Sequence, residues 1–435
     1  MRDIALALFI FGTIPFILSR PYVGLLVWSW LGYMNPHRLC YGFAYSFPWV
    51  MMIAVLTLLS LAVSKEHKKI PMSAVSVLLF VFLAWTGLTT LVAVEPASAV
   101  EKFWEFAKIL VMVFVTLILV NNRERMHWLV WMIVISLGFY GAKGGVFTIM
   151  NGGVYHVVGP PGSFIGDNNA LALALCMILP LMRYLQLSSA RKAVRMGLGA
   201  GMIFTGIAVL GTYSRGGLIG LFIVGVALLL KSRRRIALVL ALAAIGATAY
   251  HFMPPQWTAR MGTLQEATQV NSAETRIQSW KFAANVAFHR PLMGGGFDDY
   301  QNLALWSTFA PEGATQRAIH SIYFRVLSEQ GFPGLFFFLA LLFLSWRNCS
   351  RARTVARGMP QHKWVYDLAS MLQVSLVAFM VAGAFLPMTY FDLVYQLIAL
   401  SALLEIHVRQ PLTLPEHART QSLSNAPVAH KVLPG

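Results

Sequence analysis

The chain has 435 residues, 57% of them hydrophobic and 12% charged, with a mean hydropathy of +0.64. A water-soluble chain of this length cannot hide that much apolar surface, so a soluble globular domain is excluded. The formal net charge of +17 would suggest nucleic acid in a soluble protein, but here it marks anchoring beside anionic lipid headgroups, and no nucleic-acid partner is expected.

A membrane helix needs about 20 mostly apolar residues. In chain order such runs begin near Ile4, Phe43, Met72, Phe103, Met126, Asn169, Gly197, Gly216, Ile236, Phe332, Ser370 and Phe391. Leu6–Leu18 follows only Arg2 and Asp3 and precedes no small-residue cleavage site, so it reads as an uncleaved first span. Tyr22–Met34 is apolar but short: either a thirteenth span or an interfacial or re-entrant piece. The expected fold is all-α, a polytopic membrane protein of about 12 to 13 transmembrane helices.

Short loops rich in Lys and Arg stay in the cytoplasm. Lys65-Lys68-Lys69, Arg123-Arg125, Arg183-Arg191-Lys192-Arg195, Lys231-Arg233-Arg234-Arg235 and Arg347-Arg351-Arg353-Arg357-Lys363 fall on every second connection, and the tail after Arg409 joins them. The other face then holds Glu95–Lys102, Asn151–Asn168, the Ser214-Arg215 hairpin, a long loop over 253–331 and Pro387–Tyr390. That loop balances Arg260, Arg276, Lys281, Arg290, Arg317 and Arg325 against Glu266, Glu274, Asp298, Asp299, Glu312 and Glu329. A long neutral loop can translocate, so it is where chemistry is sought. The side of the N-terminus depends on whether the Tyr22 segment crosses.

Three parts follow: an N-terminal transmembrane region over 1–158, a second over 159–408 that includes the loop, and a cytoplasmic tail over 409–435. The tail is rich in Pro, Ser, Thr, Asn and His without apolar periodicity and reads as disordered. Cys40 is expected on the outer side, Cys176 inside a span and Cys349 on the cytoplasmic side, so no disulfide framework is implied.

Four stretches could carry chemistry. Asp167 lies in the turn-rich Gly159–Ala170 segment, where Asn168 or Asn169 could cap the following helix and Asp167 itself reads as structural before functional. Arg215 occupies Gly211–Gly217, on the face that otherwise lacks cationic loops. Its guanidinium fork matches phosphate oxygens, and Gly216 and Gly217 would let backbone approach a ligand. The alternative is an arginine snorkelling at a helix end.

Arg276 belongs to a helix that starts at Asn271 with a capping box to Glu274 and runs to about His289. Ile277, Trp280, Ala284, Ala287 and Phe288 form its apolar stripe, which would lie on the membrane or on other spans. Arg276 is then near lipid phosphates, or is a solvated charge. His320 precedes an amphipathic helix, Ser321–Gln330, that Gly331 and Pro333 stop. A helix N-terminus holds an imidazole neutral, as a general base must be, though a capping or surface role is the plainer alternative. Asp298-Asp299 is a weak metal candidate, with no third carboxylate at fixed spacing.

Two arginines and one neutral histidine on one face could stabilise a leaving pyrophosphate and deprotonate an acceptor hydroxyl. At this point the sequence resembles the O-antigen ligase/polymerase superfamily. Ser214-Arg215-Gly216-Gly217, the Arg276…Trp280…Pro291-Leu292…Gly294…Gly296 run and the His320…Glu329…Gly331…Gly334 run carry the likeness. Gly162-Ser163-Phe164…Gly166…Asn168-Asn169 adds to it, over about Gly159 to Leu344. Arg20-Pro21-Tyr22-Val23-Gly24 and Tyr33–Arg38 further resemble the O-glycosylation ligase branch associated with the exosortase A system.

The resemblance implies transfer of a glycan from an undecaprenyl-pyrophosphate carrier to an acceptor on protein, lipid or saccharide, at the periplasmic face of a bacterial inner membrane. It implies inverting displacement without metal or other cofactor. By the same resemblance Arg215 and Arg276 bind pyrophosphate, His320 activates the acceptor hydroxyl, and Arg290 and Tyr323 support them. A repeat-unit polymerase would use the same donor chemistry. A lipid-linked-sugar flippase would instead bury ionisable residues near the midplane, and few lie inside these spans.

Overall fold

The computed structural model describes residues 1–66, 68–231, 252–262 and 271–409, with isolated positions between 232 and 251. The span expected near Ile236, Arg233–Arg235, Glu266, the side chains of Arg260 and Asn271, and the tail from 410 onward lie wholly or mostly outside the described residues. Every described element is a helix. In chain order these are α1 (Arg2–Ser19), α2 (Pro21–Met34), α3 (Phe43–Ser46), α4 (Trp49–Val63), α5 (Ala74–Leu91), α6 (Pro96–Leu119), α7 (Arg123–Met150) and α8 (Asn168–Ser188). There follow α9 (Lys192–Gly211), α10 (Arg215–Lys231), α11 (Pro255–Gly262), α12 (Asn271–His289), α13 (Leu303–Phe309), α14 (Ile322–Ala356), α15 (Lys363–Ala382) and α16 (Asp392–Arg409).

Among the described residues seven helices are long and apolar enough to cross a bilayer: α1, α5, α7, α8, α9, α14, and α15 with its flanking turns. The chain is an all-α, multi-pass membrane protein. Local sequence explains where helices start. Ser73, Asn122 and Asp167 each accept a hydrogen bond from a backbone N–H in the first turn of α5, α7 and α8, which satisfies donors that the helix itself leaves orphaned. Asp167 is the cap of α8, rather than Asn168 or Asn169. The second span starts at Trp49, not Phe43, because Phe43–Ser46 forms a separate single turn.

Contacts between connections sort the chain into two ends. At one end Arg125 pairs with Glu66, Arg123 stacks over Trp364, and Arg351 and Arg409 both pair with Glu405. His127 meets Tyr184 there, beside the Arg183 cluster. The basic loops therefore gather on one face, as their alternation predicts. At the other end Val94 N–H bonds Gly295 O, Asn302 bonds Glu95, Asn168 bonds Thr212 O, and Trp257 bonds Leu210 O. The five helices α2, α4, α6, α10 and α16 are shorter or more charged, yet each runs between these same two ends.

The Tyr22 segment is one of them. Tyr22 Oη donates to Arg125 O at 2.6 Å, and Tyr140 Oη donates to Met34 O. Residues 125 and 140 are about 22 Å apart along α7, so α2 traverses most of a hydrocarbon core. Asp3 accepts from Gly42 N–H and Ala44 N–H, which sets the N-terminus at the end opposite the basic loops. The central helix α8 is buried along almost its whole length, whereas α1 and α9 bury one side only. Phe9, Phe16, Phe80, Leu91, Phe336 and Phe343 point outward, as a lipid-facing shell requires. Cys40, Cys176 and Cys349 are all free and buried.

Candidate functional site

The long loop is mostly structured, and α12 is its spine. The helix buries Ser279, Phe282, Ala283 and Val286 against Leu305, Trp306 and Ile319. That stripe overlaps the expected one only in part: Ala287 is buried and Trp280 packs against the cluster. Ile277 and Phe288 remain exposed, turned away from the protein core. A helix lying between protein and lipid carries two apolar faces, and periodicity alone cannot rank them.

Trp280 points from α12 to the start of α14. Its Nε1 donates to His320 O at 3.1 Å, and its ring stacks on Phe324 at 5.3 Å. Ser321, the next residue, caps α14 by accepting from Phe324 N–H. His320 is thus clamped from both sides, while its ring is half-buried and has no hydrogen-bond partner among the described residues. Burial, then the Arg276 guanidinium, lowers the imidazole from its ordinary range, and Asp167 opposes them. The direction is that expected of a helix N-terminus, but burial and a cation are the causes acting here. A neutral ring with an open nitrogen can accept a proton.

Arg276 lies one turn before Trp280 on the same side of α12, and its charge acts on His320. Arg215 opens α10. Tyr213, at φ 57°, makes the turn and donates to Gly153 O at 2.6 Å, while Ser214 Oγ accepts from Gly217 N–H at 3.0 Å. Arg215 is half-buried, and among the described residues no carboxylate pairs with it. Gly216 rests near Phe385, whose ring is 6.2 Å from that of Trp280. The Gly216 backbone and the His320 carbonyl therefore border the Trp280–Phe385 pair. Of the two glycines, Gly217 has a packing job of its own. A Cβ on Gly217 would stand 2.5 Å from Ala172 Cβ, so the residue lets α10 pack on α8.

Asp167 is committed to the cap of α8 through Asn169 N–H and Ala170 N–H, at 2.8 and 3.1 Å, while its charge still reaches His320. The other two candidates are engaged elsewhere. Arg290 follows α12, about 21 Å of helix from Arg276, and donates to Val92 O at 2.8 Å. Tyr323 donates to Met380 O at 2.8 Å and so pins α14 to α15.

A second group of charges emerges only in the folded chain. Arg325 bridges Asp298 at 2.7 Å and Glu329 at 2.9 Å, and donates to Pro387 O. Tyr390 Oη donates to Glu329 at 2.6 Å. Asp298 is therefore taken by an arginine. Ser328 Oγ donates to Asp299, whose carboxyl is pushed well above the usual range by burial and by Glu329. Asp299 keeps one buried oxygen without a hydrogen-bond partner, and among the described residues no group of three or more His, Cys, Asp or Glu is placed to hold a metal ion. Arg325 and Glu329 are spaced i, i+4, which a helix reading could have paired; Asp298 could be joined to them only in three dimensions.

Gly331 closes this region. At φ 67° and ψ −173° it interrupts α14, and its missing Cβ leaves room for Leu292 O. The helix thus divides where Gly331 and Pro333 predict, into a loop-side piece and a spanning piece.

Residues 200–339 match the O-antigen ligase family model. Arg215, Arg276, His320, Arg290, Tyr323 and the Arg325–Glu329 pair all fall inside that stretch. Residues 1–190, with Asp167, match a family of unknown function. No curated protein and no solved structure matches the chain. The O-antigen ligase match supports a membrane enzyme that joins a lipid-linked glycan to an acceptor.

Proposed function

We propose that this protein transfers a glycan from an undecaprenyl-pyrophosphate carrier to an acceptor hydroxyl at the outer, periplasmic face of a bacterial inner membrane. The observation that carries the reading is the joint placement of Arg276 and a half-buried His320 around Trp280, inside the O-antigen ligase match. In this mechanism the His320 ring takes the acceptor proton as the oxygen attacks the anomeric carbon. The bond from that carbon to the carrier pyrophosphate breaks, and the configuration inverts. Arg215 and Arg276 stabilise the charge that develops on the pyrophosphate, by fork-shaped donors that never deprotonate. No resident metal is required by these roles. Tyr323 and Arg290 hold the helices that carry the site, and the Asp167 charge tunes His320.

The acceptor is a hydroxyl of protein, lipid or saccharide; the resemblance of the N-terminal motifs to exosortase-associated ligases favours protein. The deciding experiment is transfer by purified protein from undecaprenyl-pyrophosphate glycan to a mixed acceptor pool, with EDTA present. Labelled product from wild type but not from His320→Ala is expected. Activity that survives His320→Ala removes the base, and loss of wild-type activity in EDTA removes the metal-free displacement. Extended glycan chains in place of single transfers would convert the reading to a polymerase.

A further inference from the structure

A cavity of about 740 Å³ opens between the N-terminal hairpin and α7, lined in part by Arg2, Arg38, Tyr41, Tyr45, Phe139 and Lys143. It lies at the same end of the molecule as His320, since Asp3 ties the N-terminus to Gly42 and α7 reaches this end at Met150. Its volume falls in the range of small-molecule sites. Its charge is one-sided. Among the described residues no carboxylate pairs with Arg2, Arg38 or Lys143, and the nearby Asp3 is spent on the Gly42 and Ala44 N–H groups. Arg38 Nε is buried with no hydrogen-bond partner. The Arg38 guanidinium lies 4.9 Å over the Tyr45 ring and that of Arg2 lies 6.0 Å over Tyr41, so the cations are held on aromatic faces.

One loop links this cavity to the catalytic cluster. Pro161 lines it, and Gly162 faces the Arg38 guanidinium: a Cβ placed on Gly162 would stand 3.5 Å from the guanidinium carbon. Asp167, whose charge reaches His320, is five residues on. Five residues span at most about 18 Å. A chain molecule lying along this face can occupy both places at once.

We infer that the cavity is a subsite for an acidic saccharide, its carboxylate held by Arg38, Arg2 and Lys143 and its sugar faces resting on Tyr41, Tyr45 and Phe139. Cationic forks recognise carboxylates, and aromatic rings offer flat apolar faces to the C–H side of a pyranose. A lipid headgroup would supply the anion but no flat C–H face to rest on these rings. The inference deepens the glycan-transfer reading, on which it rests for the identity of the substrate as a glycan.

The test is binding, not turnover. Full-length protein in neutral phosphatidylcholine nanodiscs is titrated calorimetrically with trigalacturonate and with its methyl ester. The acid should bind about tenfold more tightly than the ester, and the double variant Arg2→Gln/Lys143→Gln should lose about that factor. Both residues are exposed, so the variant should fold; Arg38→Gln is the stronger second variant. His320→Ala should bind the acid as wild type does. Equal binding of acid and ester overturns the inference, as does acid binding that survives Arg2→Gln/Lys143→Gln and Arg38→Gln. Loss of acid binding in phosphatidylglycerol nanodiscs also overturns it, by assigning the cavity to lipid phosphates. If wild type binds the acid selectively but transfers no glycan, the transfer reading falls and the subsite stands.

Discussion

Arg325 and Arg215 stand at the same end of the molecule and have opposite electrostatics. Arg325 is 14% exposed and lies between Asp298 and Glu329, with Tyr390 and the Pro387 carbonyl completing its shell. The guanidinium there is fully paired, which is the condition under which a buried arginine is tolerable. Arg215 has no carboxylate among the described residues, and it sits on a turn of its own making at the mouth of α10. The first arrangement holds Gly294–Asp299 against α14. The second leaves a half-buried cation without a carboxylate partner among the described residues, which is what an anionic substrate needs.

Three substitutions can break this contrast. The largest effect is expected from His320→Ala, which should lower transfer on the order of 10²- to 10⁴-fold, the usual worth of a general base. Thermal stability should hardly change, because the ring makes no hydrogen bond among the described residues; a matching fall in stability would make His320 a structural residue. Arg215→Lys should lower transfer by on the order of 10²-fold, since a point charge cannot replace two parallel donors. Near-normal turnover would reduce Arg215 to a snorkelling side chain. Arg325→Ala should do the reverse, costing about 3–5 kcal/mol of stability by stranding Asp298 and Glu329, as read by thermal unfolding in detergent. Intact folding with lost transfer would place Arg325 in the chemistry and erase the contrast.

The acid limb of the pH–rate profile offers a finer measurement. A base works unprotonated, so transfer should fall as pH drops through the His320 pKa. Burial and Arg276 lower that value, so the limb should lie below the ordinary histidine position. Removing the cation in Arg276→Gln should move the limb upward, whatever happens to the maximal rate. Removing the opposing charge in Asp167→Asn should move it further down. A limb that ignores both variants would show that some other group titrates.

The sequence made the topology readable because charge alternation is a one-dimensional signal. Lys65–Lys69, Arg123–Arg125 and Arg347–Lys363 fall on alternate connections, and that alone placed them together. The Gly331–Pro333 break was equally local, since a glycine at positive φ and a proline act on their own neighbours. The face of α12 was readable only in part. Trp280 and Ala287 pack inward as expected, but Ser279 is buried and Phe288 exposed, the inverse of what polarity suggests, because this helix packs on protein on one side only. The placement of Arg276 beside His320 was legible only as a shared membrane side. What fixes it is Trp280, whose indole reaches a carbonyl 40 residues away. Arg38 shows the same limit: only the folded chain brings it to Gly162.

The smallest effect is the one that best separates support from chemistry. Tyr323 is close in sequence to His320 and could be read as a second group that moves protons. Its hydroxyl, however, is spent on the Met380 carbonyl at 2.8 Å. Tyr323→Phe removes that one hydrogen bond and keeps the ring. The expected cost is about 0.5–1.5 kcal/mol of stability, the net worth of a typical intramolecular bond, with transfer within about twofold of wild type at a temperature where both are folded. A hydroxyl that moved protons would give the opposite pair of results: unaltered unfolding and a rate lowered on the order of 10²-fold. The two readouts cannot both follow from one role, so this conservative change decides whether the proton chemistry ends at His320 or extends one turn into α14.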